Sequence, residues 1–226
     1  MILIYLKKRG TMKKKIAVIL AGNGVYDGSE IHEASMAMYA IAKNEMEYMC
    51  FAPDIPQAHV INHLTGEEMK ESRNVLIESA RLARGQVKDL KALDVDDYDA
   101  LIIPGGFGAA KNLSDFAFKG DAMTVLPELE KIIKAFHKKK KPIGALCIAP
   151  TIIAKVLGAK VTIGKDPETA KAIVSMGGVH EEKNATDITI DEKNKIVTNP
   201  CYMMADNIYE IGEGAEACVE AMKGLM

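Results

Sequence analysis

Residues 143–151 read Ile-Gly-Ala-Leu-Cys-Ile-Ala-Pro-Thr, and this stretch decides the fold. It opens with a short apolar run, which is typical of a strand that is buried on both faces. A helical stretch, Ala149–Leu157, follows at once. Cys147 therefore lies in a sharp strand-to-helix turn, where small flanking residues leave room for the backbone. The pattern predicts one unit of an α/β protein with its cysteine exposed at the end of a strand.

The same alternation of short apolar runs and helical patterns continues on both sides of this turn. Buried strands are predicted at Ile16–Ala21, Tyr48–Ala52, Ala100–Ile103, Ile143–Leu146 and Val161–Ile163. Helices are predicted at Glu30–Asn44, Ser72–Arg84, Leu126–Lys139, Ala149–Leu157, Ala170–Met176 and Ala205–Lys223. Asp187–Asp191 and Lys195–Thr198 flank a turn sequence and predict a late antiparallel hairpin. This order predicts a doubly wound α/β fold with a mostly parallel sheet flanked by helices.

The composition is that of an ordinary globular chain of 226 residues, with 48% hydrophobic and 27% charged residues. This length favours one domain, residues 12–226. We interpret residues 1–11 as an extension upstream of a start at Met12 or as a loose arm, with a short edge strand as the alternative. A net charge of −2 gives no electrostatic reason to expect a nucleic-acid partner. The apolar runs are far shorter than the roughly 20 residues that a membrane span requires, so no membrane partner is expected.

The four cysteines are widely spaced and contain neither a CxxC pair nor a zinc motif. Their apolar surroundings predict reduced thiols and a cytoplasmic protein. Cys147 is the candidate nucleophile, because a helix N-terminus offers N–H donors, including that of Ile148, and a potential that favours thiolate over thiol. Cys201 follows the last predicted strand and is either a resolving thiol at the pocket or a packed residue. Cys50 and Cys218 are interpreted as core residues.

Two further loops end at the carboxyl edge of the predicted sheet, where open α/β proteins bind ligands. The loop after the first strand delivers Glu30 and Glu33 to a helix start. There they either stabilise the helix dipole or place one carboxylate in the crevice. The loop Pro104–Asn112 is rich in glycine, so its N–H groups either approach a ligand closely or belong to a tight turn. Asn112 and Ser114 either contact a ligand or cap the helix that follows.

Several motifs occur in one order along the chain and together resemble a known superfamily. They are Ile103-Pro-Gly-Gly-Phe-Gly-Ala-Ala-Lys-Asn-Leu-Ser114 and Gly144-Ala-Leu-Cys-Ile-Ala-Pro-Thr151. These motifs resemble the ThiJ/PfpI superfamily, which shares the flavodoxin-like fold of class I glutamine amidotransferases. Gly24-Val-Tyr-Asp-Gly-Ser-Glu-Ile-His-Glu33, Ile61-Asn-His-Leu-Thr-Gly66 and Ser72-Arg-Asn-Val-Leu-Ile-Glu78 narrow the resemblance to the ElbB branch. Members of that branch are called glyoxalases or isoprenoid-biosynthesis proteins.

The resemblance implies a role for each matching residue. Cys147 matches the reactive cysteine, Glu30 the acid that hydrogen-bonds its sulfur, and Gly106 and Ile148 the backbone donors beside it. It also implies a homodimer and neither a metal nor an organic cofactor. Many superfamily hydrolases carry a histidine directly after the cysteine, where this chain has Ile148, so no histidine partner is assigned. The remaining pocket candidates are Gly105, Phe107, Asn112, His63 and Cys201, with His63 in an extra segment after the second strand that can cap the pocket.

A cysteine beside a carboxyl group is suited to aldehyde chemistry. Two such neighbours repel each other when both are charged, so the pair is expected to hold one proton, with Glu30 donating its O–H to the sulfur of Cys147. The thiolate can attack an aldehyde, and a base then moves a proton between the two carbons of a dicarbonyl. The leading hypothesis is a cysteine-dependent, glutathione-independent glyoxalase-like lyase that converts glyoxal or methylglyoxal to hydroxy acids. The alternatives are a thiol redox sensor or protective protein, and a non-catalytic module that binds a metabolite or a protein.

Overall fold

The computed structural model describes residues 13–226, in which strands and helices alternate along the chain. The strands are β1 (Lys15–Ile19), β2 (Glu47–Ala52), β3 (Val87–Asp89), β4 (Ala100–Ile103), β5 (Ile143–Leu146), β6 (Lys160–Val161), β7 (Val179–His180), β8 (Thr189–Asp191) and β9 (Ile196–Asn199). The α-helices are α1 (Ile31–Lys43), α2 (Val75–Leu82), α3 (Phe107–Lys111), α4 (Phe116–Lys119), α5 (Pro127–Lys138), α6 (Pro150–Leu157), α7 (Pro167–Ser175) and α8 (Ile208–Leu225). The predicted extension, residues 1–11, lies outside the described residues.

A mostly parallel sheet forms the centre of the molecule. Its strand order is β3-β2-β1-β4-β5-β9-β8, and every neighbouring pair is parallel except β8 with β9. The chain therefore reverses its direction along the sheet after β3, so that the loops after β1 and β4 meet at the carboxyl edge. The predicted doubly wound α/β fold with a late antiparallel hairpin is confirmed.

Helices cover both faces of this sheet and form two apolar cores. Because successive side chains of a strand point to opposite faces, β1 contributes Ile19 to one core and Val18 to the other. The first core includes Phe136 of α5 and Ile152 of α6, and the second includes Val219 of α8. The apolar face of α8 thus packs on the sheet. From the sequence alone, this face suits either the sheet or a partner.

The structure differs from the sequence-based expectations mainly in its short elements. β3, α3 and α4 are not predicted, and the strand expected at Val161–Ile163 is only Lys160–Val161. That strand pairs with β7 in a separate two-stranded sheet. Elements of two to five residues are too short to show a hydrophobic period, so the sequence does not reveal them. Within residues 13–226, no helix combines the length and the apolar character needed to cross a membrane.

Candidate active site

Cys147 occupies the turn between β5 and α6 at the carboxyl edge of the sheet. Its backbone has φ 58°, a left-handed conformation that costs a residue with a side chain of order 1 kcal/mol or more. Its N–H donates to the carbonyl oxygen of Asn199 on β9 at 2.9 Å, which holds the turn against the neighbouring strand. The side chain is only 8% exposed, and that part faces a cavity. This strained strand-to-helix turn has the geometry of a nucleophile elbow.

Two backbone N–H groups near the sulfur of Cys147 favour its thiolate and oppose the rise in its pKa. They belong to Gly106, at the start of α3, and to Ile148, so both donors implied by the resemblance lie beside the sulfur. Gly106 has φ 93°, and a Cβ at this position would lie 2.3 Å from the backbone nitrogen of Glu30. A Cβ at Gly105 would lie 2.4 Å from the Cβ of Cys147. Only glycine fits at these two positions. The close approach of this loop to Cys147 brings N–H groups to where they can stabilise the oxyanion of an adduct formed on the sulfur.

Glu33 is the acid that contacts Cys147. It lies in the first turn of α1 and is completely buried. A Cβ at Gly105 would meet both Glu33 Oε2, at 2.7 Å, and the Cβ of Cys147, at 2.4 Å, so the carboxyl group lies beside the cysteine. Its Oε2 accepts the N–H of Gly105 at 3.0 Å, and its Oε1 accepts the N–H of Tyr202 at 3.3 Å. Two loops that are distant in sequence therefore hold this carboxyl group in place.

Glu30 caps helix α1 instead, which corrects the expectation that it bonds the sulfur. Its backbone is extended, with φ −65° and ψ 127°, and its Oε2 accepts the N–H of Glu33 at 2.7 Å. Its Oε1 lies 3.9 Å from Nδ1 of His32. Because the helix begins at Ile31 and not at Glu30, the third residue of its first turn is the one that turns toward the sheet.

Burial controls the protonation of the Cys147–Glu33 pair. It raises the pKa of Glu33 to about 8, the charge of Glu30 adds to this effect, and the N–H donors of Tyr202 and Gly105 oppose it. Burial and the charge of Glu33 also raise the pKa of Cys147 above its ordinary value. The expected preference for thiolate is therefore reversed, because desolvation outweighs the backbone donors. Near neutral pH most of Glu33 is therefore protonated, and its minority carboxylate form is the base that can accept the thiol proton.

A cavity of 390 Å³ lies in front of Cys147. Loops and helix ends at the carboxyl edge of the sheet form its walls, and Phe107 is among them, as expected. The other residues that line it are Val25, Gly106, Ala110, Phe116, Ala117, Ile148, Asp166, Thr169, Tyr202 and Met203. Most of these side chains are apolar, so the thiol faces a largely apolar space of a size typical for a small-molecule site.

Asn112 does not line this cavity, because its amide joins three loops. Its Nδ2 donates to the carbonyl oxygens of Ala21 and Asp27, both at 2.9 Å, and its Oδ1 accepts the N–H of Ala58 at 2.9 Å. Ser114 donates from its hydroxyl to the carbonyl oxygen of Ala109 at 2.9 Å. Neither alternative describes Asn112, whereas Ser114 Oγ also accepts the N–H of Phe116, the first residue of α4, at 3.5 Å, as a helix cap would.

His63 and Cys201 also lie outside the cavity wall. The ring of His63 joins the segment after β2 to the loop after β1. Its Nδ1 lies 3.0 Å from the carbonyl oxygen of Ile61, and its Nε2 accepts the N–H of Tyr26 at 3.2 Å. Cys201 has φ 43° and is fully buried in the turn after β9. Its pKa is raised by burial and by the nearby charges of Glu33 and Cys147. All four cysteines are free and buried.

Two polar residues of the cavity are missed by sequence reasoning. The hydroxyl of Tyr202 lies 2.8 Å from Nδ1 of His32, and its ring lines the cavity. Asp166 is the N-cap of α7 and accepts the N–H of Thr169 at 2.8 Å. The Asp166-Pro167 pair is a helix-start signal that could have placed α7 correctly. Among residues 13–226, no group of three or more His, Cys, Asp and Glu side chains is arranged to hold a metal ion.

Comparisons with known proteins agree with this geometry. The DJ-1/PfpI family matches residues 14–198. The ES1 protein homolog, mitochondrial, of Rattus norvegicus is 47% identical over 219 residues, which cover 92% of this chain and 82% of that protein. The human glutamine amidotransferase-like class 1 domain-containing protein 3, mitochondrial, is 47% identical over 216 residues, which cover 91% of this chain and 81% of that protein. The crystal structure of an isoprenoid biosynthesis protein with an amidotransferase-like domain from Ehrlichia chaffeensis has a TM-score of 0.87 and 39% identity, and the match covers 94% of this chain and 100% of that chain.

Proposed function

The chain belongs to the DJ-1/PfpI family, and from this premise we propose that it is a glyoxalase-like enzyme. It converts small dicarbonyls such as glyoxal and methylglyoxal to hydroxy acids, without glutathione, through a covalent adduct on Cys147. The observation that carries the proposal is the buried Cys147–Glu33 pair at the base of a cavity, with two N–H donors beside the sulfur. A thiol, a proton acceptor and an oxyanion site are what addition to an aldehyde requires.

In the first step the sulfur of Cys147 bonds to the aldehyde carbon. The carboxylate form of Glu33 accepts the thiol proton, and the electron pair of the C=O bond moves to its oxygen. The N–H groups of Gly106 and Ile148 hold that oxygen until it takes up the proton from Glu33, which gives a hemithioacetal. The thiol proton thus ends on the new hydroxyl group, and Glu33 is again a carboxylate.

In the second step a proton moves between the two carbons of the substrate. Glu33 removes it from the carbon bound to sulfur, and the electron pair shifts to give an enediolate with its negative charge on the oxygen of the neighbouring carbon. Glu33 returns the proton to that neighbouring carbon, and the hydroxyl proton of the carbon bound to sulfur passes to the neighbouring oxygen, so the carbon bound to sulfur becomes the carbonyl carbon of a thioester. Water hydrolyses the thioester, which breaks the carbon–sulfur bond, releases the hydroxy acid and restores the thiol of Cys147. Water is the only reagent consumed.

A matched pair of variants tests this proposal. Glu33→Gln removes the proton acceptor, and we expect it to lower the turnover of methylglyoxal by about 10²- to 10⁴-fold, the usual contribution of a positioned acid–base group. Glu30→Gln alters a helix cap and removes one charge that helps to raise the pKa of Glu33, but it keeps the proton acceptor, so we expect turnover within about threefold of the unmodified protein. Lactate formation is the readout. Equal rates for the two variants, or no lactate from the unmodified protein, would refute the proposal.

The redox-sensor alternative is less well supported by the surroundings of Cys147. Oxidation of a cysteine follows its thiolate character and its exposure. Burial raises the pKa of Cys147, and only 8% of the residue is exposed. Both properties disfavour reaction with peroxide, whereas an aldehyde that enters the cavity is activated by the adjacent donors.

The proposal includes a homodimer, as the resemblance implies, and a cytoplasmic location. The four free cysteines support a reducing compartment, whereas the two relatives quoted above carry the word mitochondrial in their names. Sedimentation equilibrium of the purified chain tests the dimer, and a monomer at micromolar concentration would refute it. Recovery of the full-length protein in washed mitochondria and not in the cytosol would refute the location.

A further inference from the structure

The cavity in front of Cys147 has properties that select among carbonyl compounds. We propose that it binds neutral dicarbonyls that carry an apolar substituent of about the size of a phenyl ring, and that it excludes anionic carbonyl compounds. This inference rests on the proposed function, because it names the substrate class of the same site. Three observations carry it, namely the size of the cavity, its apolar walls and the sign of its charge.

The cavity is much larger than the smallest dicarbonyls. Its volume is 390 Å³. Since one water takes up about 30 Å³ of the liquid, this space corresponds to about thirteen waters. Glyoxal or methylglyoxal bound to Cys147 displaces only a few of these, and most of the apolar wall stays in contact with water. A substrate with a larger apolar group fills the space and buries that wall.

Aromatic and aliphatic side chains form the walls that such a group would contact. Phe107 leaves 49% of its surface exposed at the start of α3, directly after the donor Gly106. Phe116 and Met203 contribute further apolar surface. A half-exposed aromatic ring beside the reacting atoms gives a flat surface against which another ring can stack. The apolar walls therefore favour an aromatic or branched substituent over a single methyl group.

The lining of the cavity carries an acidic charge. Asp166 lines it and accepts hydrogen bonds from Thr169, which keep the pKa of this carboxyl group below its ordinary value. Among residues 13–226, no lysine, arginine or histidine lines the cavity. Lys111 lies nearby, with Nζ 5.1 Å from the ring centre of Phe107, but it donates to the carbonyl oxygen of Tyr26 at 2.9 Å.

This charge pattern acts on both substrate and product. A carboxylate or phosphate that enters the cavity loses hydration and meets Asp166 without a cation to balance it, which is unfavourable in apolar surroundings. Neutral dicarbonyls enter without this penalty. The hydroxy acid that forms is itself an anion, so the charge that excludes anionic substrates also favours release of the product.

Alkylation of Cys147 measures this selectivity without any turnover. Two pairs of reagents isolate the two properties: N-phenylmaleimide with N-ethylmaleimide for size, and iodoacetamide with iodoacetate for charge. Each rate at Cys147 is followed by peptide mass spectrometry and divided by the rate of free N-acetylcysteine. We expect a preference of about tenfold for the phenyl reagent, as burial of roughly two methylene equivalents would give. We also expect a preference of about tenfold for iodoacetamide, from one uncompensated charge nearby.

Matched variants assign each preference to its residue. Asp166→Asn keeps a good helix cap and is expected to remove most of the discrimination against iodoacetate. Glu168→Gln, an equal charge change on an exposed residue of the same helix, is expected to leave it unchanged. Phe107→Ala is expected to reduce the phenyl preference, and Phe118→Ala, at an exposed ring that does not line the cavity, serves as its control.

The outcomes separate this inference from the proposed function. Both preferences together with a higher kcat/KM for phenylglyoxal than for methylglyoxal support the two proposals. Both preferences without turnover of any dicarbonyl keep the binding inference and reject the enzyme. Turnover with no preference for the phenyl group, or with iodoacetate as fast as iodoacetamide after normalisation, overturns the inference and leaves the enzyme.

Discussion

Cys147 and Cys201 occupy similar places on neighbouring strands but have different surroundings. Each lies just beyond the carboxyl end of its strand, β5 or β9, and each has a free thiol and a left-handed backbone, with φ 58° and 43°. Cys147 lines the cavity, and the N–H groups of Gly106 and Ile148 near its sulfur favour the thiolate. Cys201 is completely buried and does not line that cavity.

The difference shows that a strained turn at a strand end does not by itself make a reactive thiol. Reactivity also requires an opening toward the substrate, donors from a second loop and an acid within hydrogen-bond reach. The turn at Cys201 serves the site through the next residue, because the N–H of Tyr202 holds the carboxyl group of Glu33. One cysteine turn therefore presents a side chain, and the other presents a backbone donor.

The largest expected effect comes from replacing each cysteine by alanine. Cys147→Ala removes the nucleophile, and we expect dicarbonyl turnover to fall by about 10⁴-fold or more. Cys201→Ala is expected to keep turnover within about threefold and to cost about 1 kcal/mol of stability, because it removes only packing contacts. Turnover assays and denaturant unfolding of both variants check this. A comparable loss of turnover in both would mean that Cys201 takes part as a second thiol.

A second prediction concerns Glu33. This acid lies beside the thiol of Cys147, and the N–H of Tyr202, in the turn that contains Cys201, holds its carboxyl group. Its pKa is about 8 in the folded state, against 4.5 for an ordinary glutamate, so the folded protein holds this proton more tightly. The stability that this group contributes is complete below pH 4.5 and is lost as the pH rises to 8. The loss amounts to roughly 5 kcal/mol at 1.36 kcal/mol per pKa unit.

Denaturant unfolding at pH 5, 6.5 and 8 measures this effect in the unmodified protein and in Glu33→Gln. The glutamine variant has no carboxyl group to titrate at this position. The unfolding free energy of the variant, minus that of the unmodified protein, should therefore increase as the pH rises. A constant offset between the two, from one altered hydrogen bond to Gly105 or Tyr202, does not affect this trend. Parallel pH profiles for the two proteins would contradict the raised pKa.

The smallest expected effect is that of Tyr202→Phe. This change keeps the N–H that holds Glu33 and removes the hydroxyl that lies 2.8 Å from Nδ1 of His32. We expect turnover to stay within about threefold and stability to fall by about 0.5–1 kcal/mol, the value of one ordinary hydrogen bond. A tenfold or larger loss of kcat at unchanged KM would show that the hydroxyl itself takes part in proton transfer.

Much of the fold can be predicted from the sequence because its central strands are strongly patterned. The run Ile143–Leu146 is apolar throughout and is followed directly by a helical pattern, so the elbow at Cys147 and the parallel sheet follow from it. β3 has only three residues and one of them is a lysine, which leaves no pattern to recognise. The hairpin of β8 and β9 is predictable because a turn sequence separates its two strands.

The chemistry of the candidate site is less visible in the sequence. Glu30 and Glu33 stand in the same helix start, and their roles depend on which residue forms the cap. A residue in the first turn has its direction fixed by the helix, whereas the cap has an extended backbone and turns its side chain back to the N–H of Glu33, and helix boundaries are uncertain by one or two residues in a sequence. The contribution of Tyr202 comes from its backbone N–H, which any residue except proline possesses, so its side chain gives no signal. The raised pKa of Cys147 depends on burial by residues that are distant in sequence.

The wide separation of the site's residues along the chain has a consequence for biosynthesis. The hydrogen bond between Gly105 and Glu33 spans 72 positions, and that between Tyr202 and Glu33 spans 169. A chain that leaves the ribosome from its N-terminus cannot complete these contacts until β9 and the turn after it have been made and paired. Until then the thiol of Cys147 belongs to a nascent chain and titrates as an ordinary cysteine. The raised pKa of Cys147 is therefore a property of the completely folded chain. The rate at which this pKa appears during refolding would measure the last stage of folding.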